Sequence, residues 1–234
     1  MYLILAICVG TMYLKTNKRI SDNDIVVLLF GIHAFFVSNS VAVVPFFIQE
    51  RAIFLREHGN SSLRISSFVL ANFLAGIPGI FSISLTASVI VVALSGLKSF
   101  GWYLLNMFLS LVAAESLMHV LGVIANDGIV GIALGASLFG MFMLCEGFMV
   151  PRDSVPGYWI WVNYLGFHSY AFQAFVKQQF YNASTAGSVI PLAVARLGVE
   201  DVSVPATMAT LAAFTVGFEI AFAAILFAVH TGRR

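Results

Sequence analysis

Long apolar runs separated by short polar segments dominate this sequence. Five long runs stand out, at residues 25–48, 65–95, 101–124, 129–150 and 207–230. A helix needs about 20 mostly apolar residues to cross the hydrocarbon core of a bilayer, and each run supplies that length. With the shorter apolar stretch at residues 1–14 as a partial first span, the pattern predicts an all-α bundle of six membrane-spanning helices.

The longer polar segments have patterns of their own. Residues 49–60 mix charged and apolar side chains, which is typical of a short amphipathic helix at the membrane surface. The segment between the last two runs is rich in aromatic residues over 158–175, and such side chains favour the headgroup layer. We therefore expect short interfacial helices there, followed by an exposed loop from Gln178 onward.

Composition agrees with a membrane protein. Of the 234 residues, 60% are hydrophobic and 10% are charged, whereas a soluble domain is about half apolar and about a quarter charged. Six spans and their loops use the whole chain, so residues 1–234 are expected to form a single membrane domain. With 12 Lys and Arg against 11 Asp and Glu, no basic face indicates a nucleic-acid partner.

Charge alone does not orient the bundle. The positive-inside rule compares Lys and Arg on the two sides of the membrane, and a six-span arrangement places seven on one side and five on the other. The glycosylation sequons at Asn60 and Asn182 also fall on opposite sides. At this point the orientation stays open.

Recognisable catalytic motifs do not occur in the sequence. A phosphate-binding loop ends in Gly-Lys-Ser/Thr, yet none of the lysines follows a glycine. The five histidines form no pair at metal-binding spacing, and there is no Gly-x-Ser-x-Gly elbow. We therefore expect no catalytic residues, no metal site and no ATPase activity within this chain.

Ionisable residues inside the predicted spans are candidates for function. Glu115, His119 and Glu219 are costly in a bilayer, and such groups by default indicate a pathway, relay or coupling role. The other explanation is an interhelical contact that fixes packing. Glu115 and His119 are four residues apart on one helix face, where they can hydrogen-bond each other. Glu146 lies so near the end of its span that it is expected to reach the headgroups.

Span two carries a mixture of aromatic and polar side chains. Phe35 and Phe36 lie beside Ser38 and Asn39, and aromatic faces with a few polar atoms suit a cavity for a flat amphipathic ligand. Ordinary helix packing through small polar residues gives the same pattern. The residues alone leave both explanations open.

Two loop segments carry a distinctive order of residues. The first reads Glu50-Arg-Ala-Ile-Phe-Leu-Arg-Glu57 and then Leu63-Arg-Ile-Ser-Ser-Phe68, leading into the span with Ile77-Pro78. The second reads Glu146-Gly-Phe-Met-Val150, then Trp159-Ile-Trp-Val-Asn-Tyr164, Ser169-Tyr-Ala-Phe-Gln-Ala174 and Gln179-Phe180. In this order, and with these spans between them, the segments resemble the G subfamily of ABC transporters over nearly the whole chain.

The resemblance implies an exporter that moves amphipathic, lipid-like or xenobiotic compounds outward by alternating access. In that subfamily two membrane halves dimerise, and cytosolic nucleotide-binding domains hydrolyse ATP with Mg²⁺. This sequence contains no such domain, so we expect a truncated chain that holds no cofactor itself. The implied partners are a second half-transporter, identical or different, a nucleotide-binding domain, membrane lipids and an amphipathic substrate. The implied location is the plasma membrane.

Matching the motifs residue by residue assigns roles. The coupling segment, which contacts the nucleotide-binding domain, runs from Glu50 to Arg64 and so lies in the cytosol; this leaves Asn182 outside as the candidate glycosylation site. The implied coupling residues are Glu50, Arg51, Phe54, Arg56, Glu57 and Arg64. The implied substrate cavity consists of Phe35, Phe36, Ser38, Asn39, Phe139 and Met143. Phe148 and Met149 take the position of the outer valve.

One departure from the subfamily pattern limits what carries over. Ser38 stands where multidrug members have the aromatic residue that clamps substrate, so substrate identity does not transfer.

Two alternatives to the exporter also stay open. A proton-coupled carrier would use Glu115, His119 and Glu219 and would run on a pH gradient without ATP. The second alternative is a membrane protein that does not transport.

Overall fold

The computed structural model describes residues 1–14, 22–60, 63–151, 154–185 and 203–231. Over these residues the chain is helical and contains no strand. The helices are α1 Tyr2–Met12, α2 Asp22–Ser38, α3 Val43–Gly59, α4 Ile65–Ser95, α5 Phe100–Ile124, α6 Gly128–Cys145, α7 Ile160–Leu165, α8 Phe167–Thr185 and α9 Val204–Thr231. The predicted all-α membrane bundle is confirmed.

Five helical stretches are long and apolar enough to cross a membrane. They are Asn23–Gly59, Ile65–Ser95, Phe100–Ile124, Gly128–Cys145 and Val204–Ala228. The first of them joins α2 to α3 through a 3-10 turn at Asn39–Ala42, and we call this continuous stretch the α2–α3 rod. Helix α1 has 11 residues, short of a full crossing, so the sixth span stays a prediction.

Helix α5 occupies the centre of the bundle. Of its most apolar window 67% is buried, against 28% for α4 and 22% for both α6 and α9. Helices α3, α4, α8 and α9 all pack against it. Small residues allow this close packing: Gly122 leaves room for the ring of Phe47, and Gly131 on α6 leaves room for Val44. The rod is thereby held against α5 and α6.

The amphipathic pattern predicted a separate helix for the coupling segment, but the segment does not form one. Its residues as far as Gly59 are the second half of α3. No glycine or proline interrupts the chain between Pro45 and Gly59, and Pro45 lies in the first turn of α3, where a missing N–H is tolerated. The helix therefore continues from the span into the coupling segment.

The prediction of an exposed loop from Gln178 onward is wrong for its first residues, because α8 continues to Thr185. Nor is α8 only interfacial, since Phe167, Phe172 and Val176 are buried and the helix packs on α2, α5 and α9. Apolar residues recur every three to five positions along α8, which is the period of a helix with one buried face. The aromatic content alone had indicated the headgroup layer.

Candidate functional site

The α2–α3 rod carries both sets of residues for which the sequence predicts a role. Phe35, Ser38 and Asn39 lie where α2 passes into the 3-10 turn, and the coupling segment begins with Glu50 in α3. The helical hydrogen-bond pattern changes type between them but does not stop. One element therefore connects the candidate cavity directly to the coupling segment.

Four of the six predicted cavity residues lie together, three on the rod and one on α6. The Ser38 hydroxyl donates to Sδ of Met143 over 3.7 Å, which joins α2 to α6. The side-chain amide of Asn39 donates to the backbone oxygen of Phe35 over 2.9 Å. The ring of Phe35 itself is 56% exposed. These residues form a surface with polar and aromatic groups side by side.

Phe36 and Phe139 lie elsewhere. Their side chains are 0% and 1% exposed, and they pack inside the chain: Phe36 against Tyr2 at a ring-centroid distance of 5.4 Å, and Phe139 against Phe167 at 6.3 Å. Within one chain these two rings belong to the buried core. Whether they also line a cavity stays a prediction.

The predicted valve residues differ in their surroundings. Phe148 is half-buried and stacks on Phe30 at a centroid distance of 4.3 Å, with Phe172 of α8 at 6.1 Å. Met149 is 57% exposed. The structure thus adds Phe30 and Phe172 as the aromatic partners of Phe148, while the valve role itself stays a prediction.

Three buried polar side chains lie near the end of α6. They are His33, Glu146 and His168, and we call them the outer histidine cluster. Nδ1 of His33 is 3.7 Å from Oε2 of Glu146, and the two imidazole rings are 5.1 Å apart. All three side chains are at most 1% exposed. Within the part of the chain that the structure describes, none of their nitrogen and oxygen atoms has a hydrogen-bond partner.

Burial controls the protonation of this cluster. It raises the pKa of Glu146 well above its ordinary value, and it lowers the pKa of His168 well below, with a smaller contribution from the nearby His33. The prediction that Glu146 reaches the headgroups is therefore wrong. The chain turns directly after α6, and the carboxyl group is buried beside His33 of α2.

No pattern in the sequence predicts the outer histidine cluster. His33 and His168 are single histidines in apolar or aromatic surroundings, far apart in the chain, and neither stands at a fixed spacing from Glu146. Only the packing of α8 against α2 brings them together.

A second polar contact lies between α5 and α9. Nδ1 of His119 is 3.4 Å from Oε1 of Glu219, so His119 pairs across helices and not with Glu115 as the spacing had suggested. Helix α9 runs along α5 and brings Glu219 to the ring. Glu115 instead extends toward α4, where Gly76 has no side chain in its way. The His119–Glu219 contact favours a role in helix packing.

Arg51 ties the coupling segment to the central helix. Its guanidinium donates to the backbone oxygens of Gly122 at 2.7 Å, Val123 at 2.6 Å and Ala125 at 3.2 Å. Carbonyls at a helix C-terminus lack intrahelical partners and carry partial negative charge. Arg51 thus caps α5 from the neighbouring α3.

The other predicted coupling residues divide into one buried ring and an exposed charged face. Phe54 is 1% exposed and stacks on Phe68 of α4 at a centroid distance of 4.1 Å. Those on the exposed face are Glu50, Arg56, Glu57 and Arg64. Phe54 anchors the segment, and the charged residues point outward where another protein can reach them.

Two further predictions concern metal and glycan sites. Among the described residues, no group of three or more His, Cys, Asp or Glu side chains could hold a metal ion. Asn182 falls within α8, but its side chain lies outside the described part of the structure. The glycosylation site stays a prediction.

Comparison with known proteins places these features in context. Residues 1–180 match the family described as ABC-2 type transporter. ABC transporter G family member 8 of Arabidopsis thaliana is 32% identical over 186 residues, 76% of this chain and 31% of the relative. Member 23 of the same plant is 28% identical over 74% of this chain and 28% of the relative. The G family member STR2 of Petunia hybrida is 29% identical over 79% of this chain and 26% of the relative. The chain therefore spans between 26% and 31% of the length of these relatives.

Proposed function

The chain belongs to the ABC-2 type transporter family, and from that premise we propose that it is the membrane half of an ATP-driven exporter in the plasma membrane. It moves amphipathic, lipid-like or xenobiotic compounds outward by alternating access. It works as a dimer with a second half-transporter, identical or different. Nucleotide-binding domains that bind ATP and Mg²⁺ supply the energy.

The continuity of the α2–α3 rod is the observation that supports this proposal. From Ser38 to Glu57 the rod spans about 30 Å at the helical rise of about 1.5 Å per residue. One end carries Phe35, Ser38 and Asn39, and the other carries the exposed charges of the coupling segment. A displacement applied to the charged end reaches the candidate cavity through a single helical element.

Arg51 extends this mechanical connection to the rest of the bundle. Because its guanidinium holds the end of α5, a movement of the coupling segment also pulls on the central helix. Helix α5 in turn packs on α4 and α9. Closure of the nucleotide-binding domains would thus act on the whole bundle and not on one span.

Transport by inside-out vesicles tests the proposal against the alternatives. Vesicles that contain the chain assembled with its nucleotide-binding domains should accumulate a fluorescent amphipathic compound when ATP and Mg²⁺ are added, and should not do so with a pH gradient alone. Accumulation driven by the pH gradient without ATP would support the proton-coupled carrier instead. Accumulation under neither condition, with a broad panel of amphipathic compounds, would support a protein that does not transport.

Phe35→Ala tests the candidate cavity. Losing one aromatic contact costs about 0.5–1.5 kcal/mol, so the half-saturating substrate concentration should rise roughly two- to tenfold, while ATP binding stays the same. The matched control is Phe100→Ala, which removes a partly exposed ring at the start of α5. Equal substrate curves for Phe35→Ala and the parent would count against this cavity.

A further inference from the structure

A second cavity lies inside the bundle, between α1, the 3-10 turn, α3, α4 and α5. Its volume is about 210 Å³. Its polar lining consists of Tyr2, Asn39, Ser40 and Glu115, and the rest of the wall is mainly apolar. Glu115 is about 13 Å along the helix axis from the end of α5, so the cavity lies well within the membrane-spanning part of the bundle.

The polar groups of this cavity are held in defined positions. The side chain of Ser40 is buried, and the amide of Asn39 is fixed by its bond to the oxygen of Phe35. A Cβ atom at Gly76 would be 2.6 Å from Oε1 of Glu115. The carboxyl group therefore occupies space that exists only because residue 76 is glycine.

The charges around the cavity favour a cation. Glu115 interacts electrostatically with His119 and, more weakly, with Glu219, and His119 is itself in contact with Glu219, so two carboxyl groups share one imidazole. A carboxylate at this depth is costly unless a partner of opposite charge or a hydrogen-bond donor is present. A ligand with a positively charged head supplies that partner.

Size and opening indicate how such a ligand enters. A volume of 210 Å³ is below the range of about 300–1,000 Å³ typical of sites that enclose a drug-sized molecule. Ala42 is exposed and the ring of Phe46 is 69% exposed, so the wall is open on the side of the rod. The cavity thus has room for the polar end of a molecule whose hydrocarbon part extends outward past Phe46.

We propose that this cavity binds the protonated amino group of a lipophilic amine, with the carboxylate of Glu115 as its counter-ion. The amine donates to the Glu115 carboxylate, and the apolar walls formed by residues such as Ile80 and Leu111 cover the first carbons of the chain. The cavity shares Asn39 with the surface formed by Phe35, Ser38, Asn39 and Met143, but Glu115 and the apolar walls belong to the cavity alone. Binding to it requires neither ATP nor transport, so it is tested independently of the proposed function.

Photo-crosslinking measures this binding. The probe is a long-chain alkylamine with a diazirine near the amine, added to the purified protein in lipid nanodiscs, and the labelled peptides are identified by mass spectrometry. Labels are expected on α4 around Ile80 and Ile83, the α4 residues that line the cavity. The same alkyl chain with a hydroxyl in place of the amine should label these positions about tenfold less, because only the amine forms the ion pair.

Two variants and their controls make the assignment specific. Glu115→Gln keeps the size of the side chain but removes its charge, and Gly76→Ala forces the carboxyl group to move; both should reduce labelling about tenfold. Gly79→Ala is the control for Gly76→Ala, because a Cβ at residue 79 of the same helix meets nothing within 4 Å. Phe100→Ala removes a partly exposed ring at the start of α5, away from the cavity, and both controls should label as the parent does. Equal labelling of Glu115→Gln and the parent would overturn the proposal, and so would equal labelling by the alcohol probe.

Discussion

Buried polar side chains distinguish the interior of this bundle from a purely apolar one. His119 and Glu219 form a contact between α5 and α9, whereas the outer histidine cluster is fully buried without hydrogen-bond partners in the described structure. The α6 side chains Phe139 and Phe142 pack on the ring of His168. Because an unpaired charge in such surroundings is very costly, the cluster favours neutral histidines and a neutral Glu146.

The outer histidine cluster should make stability depend on pH. The pKa of folded His168 lies below its ordinary value of 6.5, so just below pH 6.5 the unfolded chain binds more protons than the folded chain. Stability from this group is therefore complete above pH 6.5 and falls as the pH drops below it. In detergent, lowering the pH from about 7 to about 5 should decrease the apparent melting temperature of the parent relative to that of a variant without His168.

Substitution identifies the group responsible for this decrease. His168→Phe cannot be protonated and fits among the neighbouring phenylalanine rings, so its melting temperature should change less over the same pH range. His58→Gln removes a histidine that solvent reaches and should keep the parent's pH dependence. Glu146 acts in the opposite direction, because its raised pKa removes stability as the pH increases through that value. An identical decrease in His168→Phe and the parent would contradict the assignment.

At the level of helices, the contact between Arg51 and the end of α5 joins two elements that the sequence predicted separately. Arg51 belongs to the coupling motif, and the carbonyls it binds belong to the end of a span. A helix C-terminus attracts cations, but nothing in the local sequence indicates which cation on which neighbouring helix will reach it. Such a contact follows only from the packing of α3 on α5.

Arg51→Met should weaken both stability and transport. Hydrogen bonds to a charged group contribute about 1.5–3 kcal/mol, so the variant should unfold at a lower temperature and transport less substrate per ATP hydrolysed. Arg51→Lys should rescue only part of this loss, because an ammonium group does not reproduce the planar arrangement of five donors. The measurements are thermal unfolding in detergent and vesicle uptake.

Arg56→Met provides the matched control. Arg56 lies on the same helix and is exposed, so its removal should leave the melting temperature nearly unchanged. If Arg51→Met and Arg56→Met melt at the same temperature, Arg51 does not hold α5 in the way described.

How well each element could be predicted depended on which physical signal dominated. The long apolar runs located the helices of the bundle because the membrane requires about 20 apolar residues per span. The pattern of residues 49–60 gave a separate helix, yet no breaker ends the preceding span and α3 simply continues. In α8, aromatic content suggested the interface, whereas the helical period of its apolar residues indicates the buried face.

Across the whole molecule, the arrangement of helices determines which predicted site residues meet. Motif order identified the family and divided the candidate residues into cavity, valve and coupling sets. It did not show that Phe36 and Phe139 are buried in the chain, or that Asn39 and Glu115 share one cavity. Those relations depend on long-range packing between α1, α4, α5 and the rod, which residue spacing along one helix does not report.

Across the whole molecule, one long helical element connects the two candidate sites and packs against the rest of the bundle. The α2–α3 rod joins the candidate cavity to the exposed charges of the coupling segment, and Arg51 and Phe54 fasten that segment to α5 and α4. The central claim is that ATP-driven movement enters through this segment. It predicts that removing an exposed charge there separates ATP hydrolysis from transport without disturbing the fold.

Uptake by inside-out vesicles carrying Glu57→Ala in the assembled transporter tests this claim most directly, with ATP hydrolysis and the amount of inserted protein measured in the same vesicles. Insertion should equal that of the parent, because Glu57 lies on the exposed face of α3. Substrate accumulation per ATP hydrolysed should be clearly lower. Unchanged accumulation at equal insertion would contradict the assignment of the coupling segment.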